Sequence, residues 1–201
     1  GLIFTRQISI DDHFVFSVTQ AVQNNSAAPV ALIPYARVQR QDTPVIAGWW
    51  VFFEGMLGVL GDKLQEINYS DVQGAKEPTR IDSQGGWLGF TDKYWAAVMI
   101  PDQSRAISTS FLHQVQNGRD VYQTDYLAKD AIIIQPGATG QYQDLLFAGA
   151  KVVETVQTIG EKYKIAKFDL MIDWGWFEFI TKPMFYLLDF LNGIVGNFGI
   201  A

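Results

Sequence analysis

Histidine is the side chain most ready to move a proton near neutral pH, and this chain has two, His13 and His113. General acid–base or nucleophilic catalysis would need one of them beside a carboxylate or hydroxyl in a cleft. His13 falls in a turn and His113 at a strand end, and neither has a metal-ligand spacing such as H-x-x-x-H. The absence of cysteine removes thiolate nucleophiles, disulfides and cysteine metal sites together. There is no G-x-S-x-G elbow and no P-loop, and Gly85-Gly86 reads only as a turn. The carboxylates are scattered, with no pair singled out by spacing. These residues predict no catalytic centre, no cofactor and no metal, and a structural or surface role for both histidines.

The strongest patterned feature is aromatic. Stepped at the 3.6-residue period of an α-helix, residues 174–191 gather Glu178, Lys182 and Asp189 into one narrow arc. Opposite them, Trp176, Phe177, Phe179, Ile180, Met184, Leu187, Leu188, Phe190 and Leu191 cover about half the circumference. Glu178 and Lys182 form an i, i+4 pair in the favourable order. Pro183 bends this helix or lies in the first turn of one starting near Thr181; the stripe stays in register across it, which favours one bent surface. A wide aromatic face suits either a core helix or a helix lying in a membrane interface, where Trp, Tyr and Phe concentrate. The interface reading names Trp174, Trp176, Phe177, Phe179, Ile180, Phe185, Leu187, Leu188 and Leu191 as its working residues.

The elements ahead of that helix read mostly as strands. In residues 2–10, Leu2, Phe4, Ile8 and Ile10 share one parity, the mark of a half-buried strand. Similar runs cover 14–22, 30–39, 93–101, 106–112, 119–127, 131–135 and 139–147, separated by turns such as Asn117-Gly118 and Gln135-Pro136-Gly137. Many short strands without βαβ alternation predict an antiparallel sandwich or barrel. Residues 40–85 are less regular; Trp49, Trp50, Phe52, Phe53, Met56 and Leu57 form an apolar cluster leading to a glycine-rich loop. Val152, Val153, Val156 and Ile159 share a helical face that Gly160 ends, and Phe168, Leu170 and Ile172 then alternate as an extended linker or strand.

The 201 residues are 48% apolar and 18% charged, enough for one folded domain with a sizeable core. The net charge of −6 repels phosphate backbones, so nucleic acid is not an expected partner. No apolar run approaches the roughly 20 residues of a membrane span. The chain opens on Gly1 and a strand, which reads as a fragment of a longer protein.

The order of several short motifs resembles the periplasmic domain of the bacterial YidC branch of the YidC/Oxa/Alb membrane-protein insertase family. Gly85-Gly86-Trp87, Tyr94-Trp95 and Ile100-Pro101 are similar to its GGW…Y[FW]…IP stretch, and Gln135-Pro136-Gly137 to its QPG turn. Phe147-Ala148-Gly149-Ala150-Lys151 resembles its FxGPK, with Ala150 where Pro is usual. Asp173, Gly175, Phe179, Pro183, Phe185 and Val195-Gly196-Asn197-Phe198-Gly199 resemble its D-x-G…F…P-x-F…VGN[WF]G run. The resemblance implies a mainly β fold, an antiparallel β-supersandwich like galactose-mutarotase domains with C-terminal α-helices. Residues 1–148 would be the sandwich without its first strands, leaving an open sheet edge, and 149–201 the helical region leading to an absent transmembrane segment. It implies a non-enzymatic domain on the periplasmic face of the inner membrane. Its partners would be Sec accessory subunits of the SecD/SecF type, the insertase membrane core, the lipid surface and, through the whole protein, client membrane proteins. The rival readings are a mutarotase-like carbohydrate-active enzyme, which would need a histidine and a glutamate converging in the sandwich cleft, and a glycan- or peptide-binding module without catalysis.

Overall fold

Alternating residues build the first hairpin. In the computed structural model, which describes residues 1–45, 52–175, 177–197 and 199, strand β1 (Leu2–Ile10) pairs antiparallel with β2 (Val15–Asn24), Ile8 opposite Val18. The turn between them is organised by Asp11. Its carboxylate accepts hydrogen bonds from the backbone N–H of His13 (2.9 Å) and Val15 (3.0 Å), from Lys162 Nζ (2.8 Å) and from Tyr163 Oη (3.1 Å).

Burial by itself would raise the pKa of Asp11; the hydrogen bonds from Lys162, Val15, His13 and Tyr163 outweigh it and hold the group down at about 2. A carboxylate depressed in the folded state contributes stability above its unfolded pKa and loses it as pH falls. Asp11→Asn should therefore destabilise the chain by about 1–2 kcal/mol at pH 7. In urea unfolding, the gap between variant and parent should narrow between about pH 4 and pH 2. A gap that does not change with pH would mean that the charge of Asp11 is irrelevant to the turn.

Antiparallel pairing continues from β2 to β13 (Thr139–Ala150), β9 (Trp95–Ile100), β8 (Trp87–Thr91), β5 (Gly55–Leu60) and β6 (Lys63–Ile67), giving a seven-stranded sheet in the order β1-β2-β13-β9-β8-β5-β6. A second sheet runs β4 (Tyr35–Gln41), β11 (Arg119–Ala128), β10 (Ala106–Gln116), β7 (Thr79–Gln84). A short pair, β3 (Val30–Leu32) with β12 (Ile132–Ile134), completes the strands among the described residues.

The centre of the large sheet is covered on both faces. On one, Met56, Leu60, Leu88, Phe90 and Met99 pack against Ile107, Phe111, Tyr122 and Tyr126 of the second sheet and against Tyr69 and Val72 of α1 (Tyr69–Gly74). On the other, Leu57, Val59, Trp87, Val98 and Phe147 pack against Val156 and Ile159 of α2 (Val153–Lys162) and against Phe168 and Met171. Strands buried on both faces lose the period-two signal. The sequence reading accordingly has no strand at 87–91 and puts a glycine-rich loop where Gly55 and Gly58 lie inside β5. Glycine is required at Gly89, where a Cβ would lie 2.0 Å from the Ala97 carbonyl of the neighbouring strand.

Three further readings are corrected. Gly160 does not end α2, which continues to Lys162 and is capped at Tyr163. Residues 168–171 form a 3₁₀ turn, not an extended segment, because Phe168 and Met171 both reach the core from one side of a three-residue turn. The last helix, α3, spans Glu178–Val195, later at both ends than the predicted 174–191, with Pro183 inside it and Gly196 closing it at φ 70°. Trp49 and Trp50 of the predicted apolar cluster lie outside the described residues.

Candidate functional site

Helix α3 touches the rest of the chain along one side. Lys182 Nζ donates to Asp169 Oδ2 at 2.7 Å, and Gln157 Nε2 donates to Tyr186 Oη. The Trp174 ring meets Phe185 edge-on, with centroids 5.5 Å apart. Thr181 Oγ1 donates to the Trp174 carbonyl at 2.7 Å, tying the first turn to the segment that delivers it. Lys182, Phe185 and Tyr186 are neighbours on one side of the helix.

Away from that side the apolar side chains are exposed. Phe179 is 74% exposed, Phe190 65% and Ile194 68%, and Ile180, Met184, Leu187, Leu188 and Val195 are exposed beside them. The predicted residues therefore divide. Phe179, Ile180, Leu187 and Leu188 lie on the open face, with Leu191 half-buried among them. Phe185 turns inward, Phe177 is exposed just ahead of the helix with its ring 6.4 Å from Phe179, and Trp174 precedes the helix, half-buried. Trp176 lies outside the described residues. Ile194 and Val195 extend the open face beyond the predicted 174–191; Ile194 repeats Leu187 at i+7. None of the described helices is long and apolar enough to cross a membrane.

The histidines do not build a reactive cleft. His113 Nε2 lies 2.7 Å from Asp120 Oδ1, half-buried across the β10–β11 pair and packed on Tyr122. Thr43 Oγ1 bridges Asp120 and Tyr122, whose hydroxyl also accepts from Gln73 Nε2 at 2.6 Å. This is a cross-strand fastening. Neither His113 nor His13 lines the cleft between the sheets or the apolar cavity beside α3, so the histidine–carboxylate pair that the carbohydrate-active reading requires is not assembled in either.

The cleft itself is polar at its base. It encloses about 520 Å³ between β4 and the inner face of β1, β2 and β13, and Arg6, Tyr35, Arg37, Tyr126 and Asp144 are among its walls. Asp144 is 7% exposed, and its carboxyl group is buried together with the hydroxyls of Tyr126 and Tyr142. Burial pushes the Asp144 carboxyl up to about 6, an effect the adjacent tyrosine hydroxyls only partly offset. Burial and the charge of Asp144 likewise raise both phenols, Tyr142 to about 12.

Known proteins resemble the chain along its length. The family model described as YidC periplasmic domain matches residues 1–187. The membrane protein insertase YidC of Beijerinckia indica is 48% identical over 203 residues, covering 100% of this chain and 33% of that protein. Those of Sinorhizobium medicae and Brucella melitensis are each 46% identical, again over 100% of this chain and over 34% and 33% of their own lengths. The chain thus spans about a third of the relatives it matches.

Proposed function

Because the chain belongs to the YidC periplasmic domain family, and is a periplasmic domain rather than an enzyme, we propose that it is a scaffold held at the membrane surface by α3. The observation that carries this reading is the division of α3: it docks on its own domain through Lys182, Phe185 and Tyr186 and turns a continuous apolar face outward. Exposed apolar surface of that extent is unfavourable in water unless something covers it. A helix with an aromatic face and a narrow polar arc is suited to the lipid headgroup boundary. The relatives are named as membrane protein insertases, which supports lipid as the covering phase.

In this reading residues 149–201 carry the sheets toward the insertase membrane core, and the two packed sheets are part of a β-supersandwich of the mutarotase-like kind. A face of the sandwich serves as the docking surface for Sec accessory subunits of the SecD/SecF type, and client proteins meet the whole insertase. The resemblance of the ordered motifs to that family supports these assignments. The cleft favours a binding role over catalysis as the second reading, since it holds a buried carboxylate and lacks a histidine.

Flotation with anionic liposomes tests the role of the helix. Residues 1–201 should float with the vesicles, and a version ending at Asp173 should stay in the soluble fraction. If both versions remain soluble, the aromatic face is a protein-docking surface and the lipid reading is wrong.

A further inference from the structure

We propose that the apolar cavity beside α3 is a lipid site: it takes one acyl chain of an anionic phospholipid, and Lys151 and Trp174 hold the oxygens of its head. The choice of occupant rests on reading α3 as a lipid contact. The cavity encloses about 740 Å³, within the roughly 300–1,000 Å³ of small-molecule sites. Phe52, Val153, Ile172, Trp174, Phe177 and Phe185 form its apolar walls. Lys151, directly after β13, and Asp173 are its charged walls.

Two donors in these walls have room for an acceptor. Trp174 Nε1 is buried with no hydrogen-bond partner among the described residues, whereas buried donors are almost always satisfied. Lys151 Nζ donates to the neutral Thr91 Oγ1 at 2.8 Å, which leaves two of its three N–H groups. Burial lowers the Lys151 pKa, and the charges of Asp173, Asp92 and Glu54 offset this only in part. Two of those carboxylates are engaged elsewhere. Asp173 accepts from the backbone N–H of Phe53 at 2.8 Å and of Gly175 at 2.7 Å, and Asp92 pairs with Arg40. An anionic oxygen brought to Lys151 would stabilise its charged form and make a charge-assisted hydrogen bond.

The cavity reaches the surface at Phe52 and Phe177, both exposed. The Phe177 ring lies 6.4 Å from that of Phe179, so apolar surface runs on from the open face of α3 to the cavity. At the Phe52 end, Lys93 Nζ stands 5.9 Å from the Phe52 ring and 5.1 Å from the exposed ring of Tyr94. The Lys151 N–H donates to the Tyr94 carbonyl at 2.8 Å, which ties this turn to the cavity wall. Aromatic rings beside ammonium groups suit the headgroup boundary of an anionic bilayer. A chain from the lipid on which α3 lies would fill the apolar space and bring its phosphate to Lys151.

Titration of residues 1–201 with lauroyl lysophosphatidylglycerol, kept monomeric below its critical micelle concentration, tests the site. The indole N–H resonance of Trp174, identified by its loss in Trp174→Phe, should shift and saturate. Val153→Phe, which puts a larger ring into the cavity, should weaken this binding about tenfold or more. Lys151→Met keeps most of the side-chain stem and should weaken it about tenfold, while leaving the binding of monolaurin, the same chain on an uncharged head, unchanged. The resonance of the buried Trp87 indole should stay in place in each variant, reporting an intact fold. Leu187→Asp should bind the monomeric lipid like the parent, so failure of α3 as a lipid contact, read by flotation, is distinct from failure of the cavity. No shift of Trp174 overturns the proposal. So does a shift that appears only above the critical micelle concentration, that glycerol phosphate alone reproduces, or that Val153→Phe leaves unchanged. Equal weakening of both lipids by Lys151→Met overturns it too, since the ammonium would then not meet the head.

Discussion

Leu187→Asp is expected to lower the partition of residues 1–201 onto anionic vesicles by about tenfold to a hundredfold while leaving the melting temperature unchanged. Leu187 lies mid-way along the open face of α3, seven residues before Ile194, and is 58% exposed. It belongs to neither of the two core clusters among the described residues, so its loss costs the fold little. Its transfer into lipid contributes about 1.5–3 kcal/mol, and an aspartate at the same depth reverses that contribution. Ser70→Asp, on the exposed side of α1, adds the same charge away from the helix and should bind vesicles like the parent. Phe185→Ala acts differently, because Phe185 faces Trp174: it should loosen α3 from the domain without removing the apolar face. Vesicle binding can be followed by sedimentation and stability by thermal melting. Equal binding by the Leu187 variant and the parent would exclude this face as the lipid contact.

Trp87→Ala should remove about 3–5 kcal/mol of stability, enough to unfold many domains of this size. Trp87 is 0% exposed. Its ring meets Phe168 edge-on at 5.5 Å, and its Nε1 donates to the Ala166 carbonyl at 3.3 Å. It therefore joins β8, in the middle of the large sheet, to the segment that leads from α2 to α3. Truncation leaves a cavity the size of an indole, exposes the Ala166 carbonyl to an apolar void, and loosens the 3₁₀ turn on which Lys182 docks through Asp169. Trp87→Phe keeps most of the ring and should cost about half as much. Urea unfolding reads both. A loss under about 1 kcal/mol would mean that the helical segment does not depend on this side chain for its attachment to the sheet.

The hairpin β1–β2 and strands β9, β10, β11 and β13 were legible because one face of each is less buried than the other over at least part of its length, leaving alternation in the sequence. β5 and β8 were not: Gly55–Leu60 and Trp87–Thr91 are buried on both faces, and a short apolar run carries no period to distinguish strand from loop or helix. α1 was missed for a different reason. It is a six-residue helix, too short for an apolar stripe, whose start depends on the reciprocal Asn68–Asp71 capping contacts. The family was legible from motif order, since Gly85-Gly86-Trp87, Gln135-Pro136-Gly137 and the C-terminal run keep their sequence even where the elements around them were misread.

What the sequence by itself determined is the amphipathic character of α3, because a 3.6-residue repeat places Phe179, Leu187 and Ile194 on one side of any helix they form. It also excluded cysteine chemistry, which follows from composition. Only the tertiary structure decided which side of α3 is free. That choice rests on Asp169, Gln157 and Trp174, residues outside the helix whose positions no local period encodes. The same holds for Asp144: it is one carboxylate among many in the sequence. It becomes a buried carboxyl only because β13 and β11 bring it together with Tyr142 and Tyr126 in the cleft beside β4.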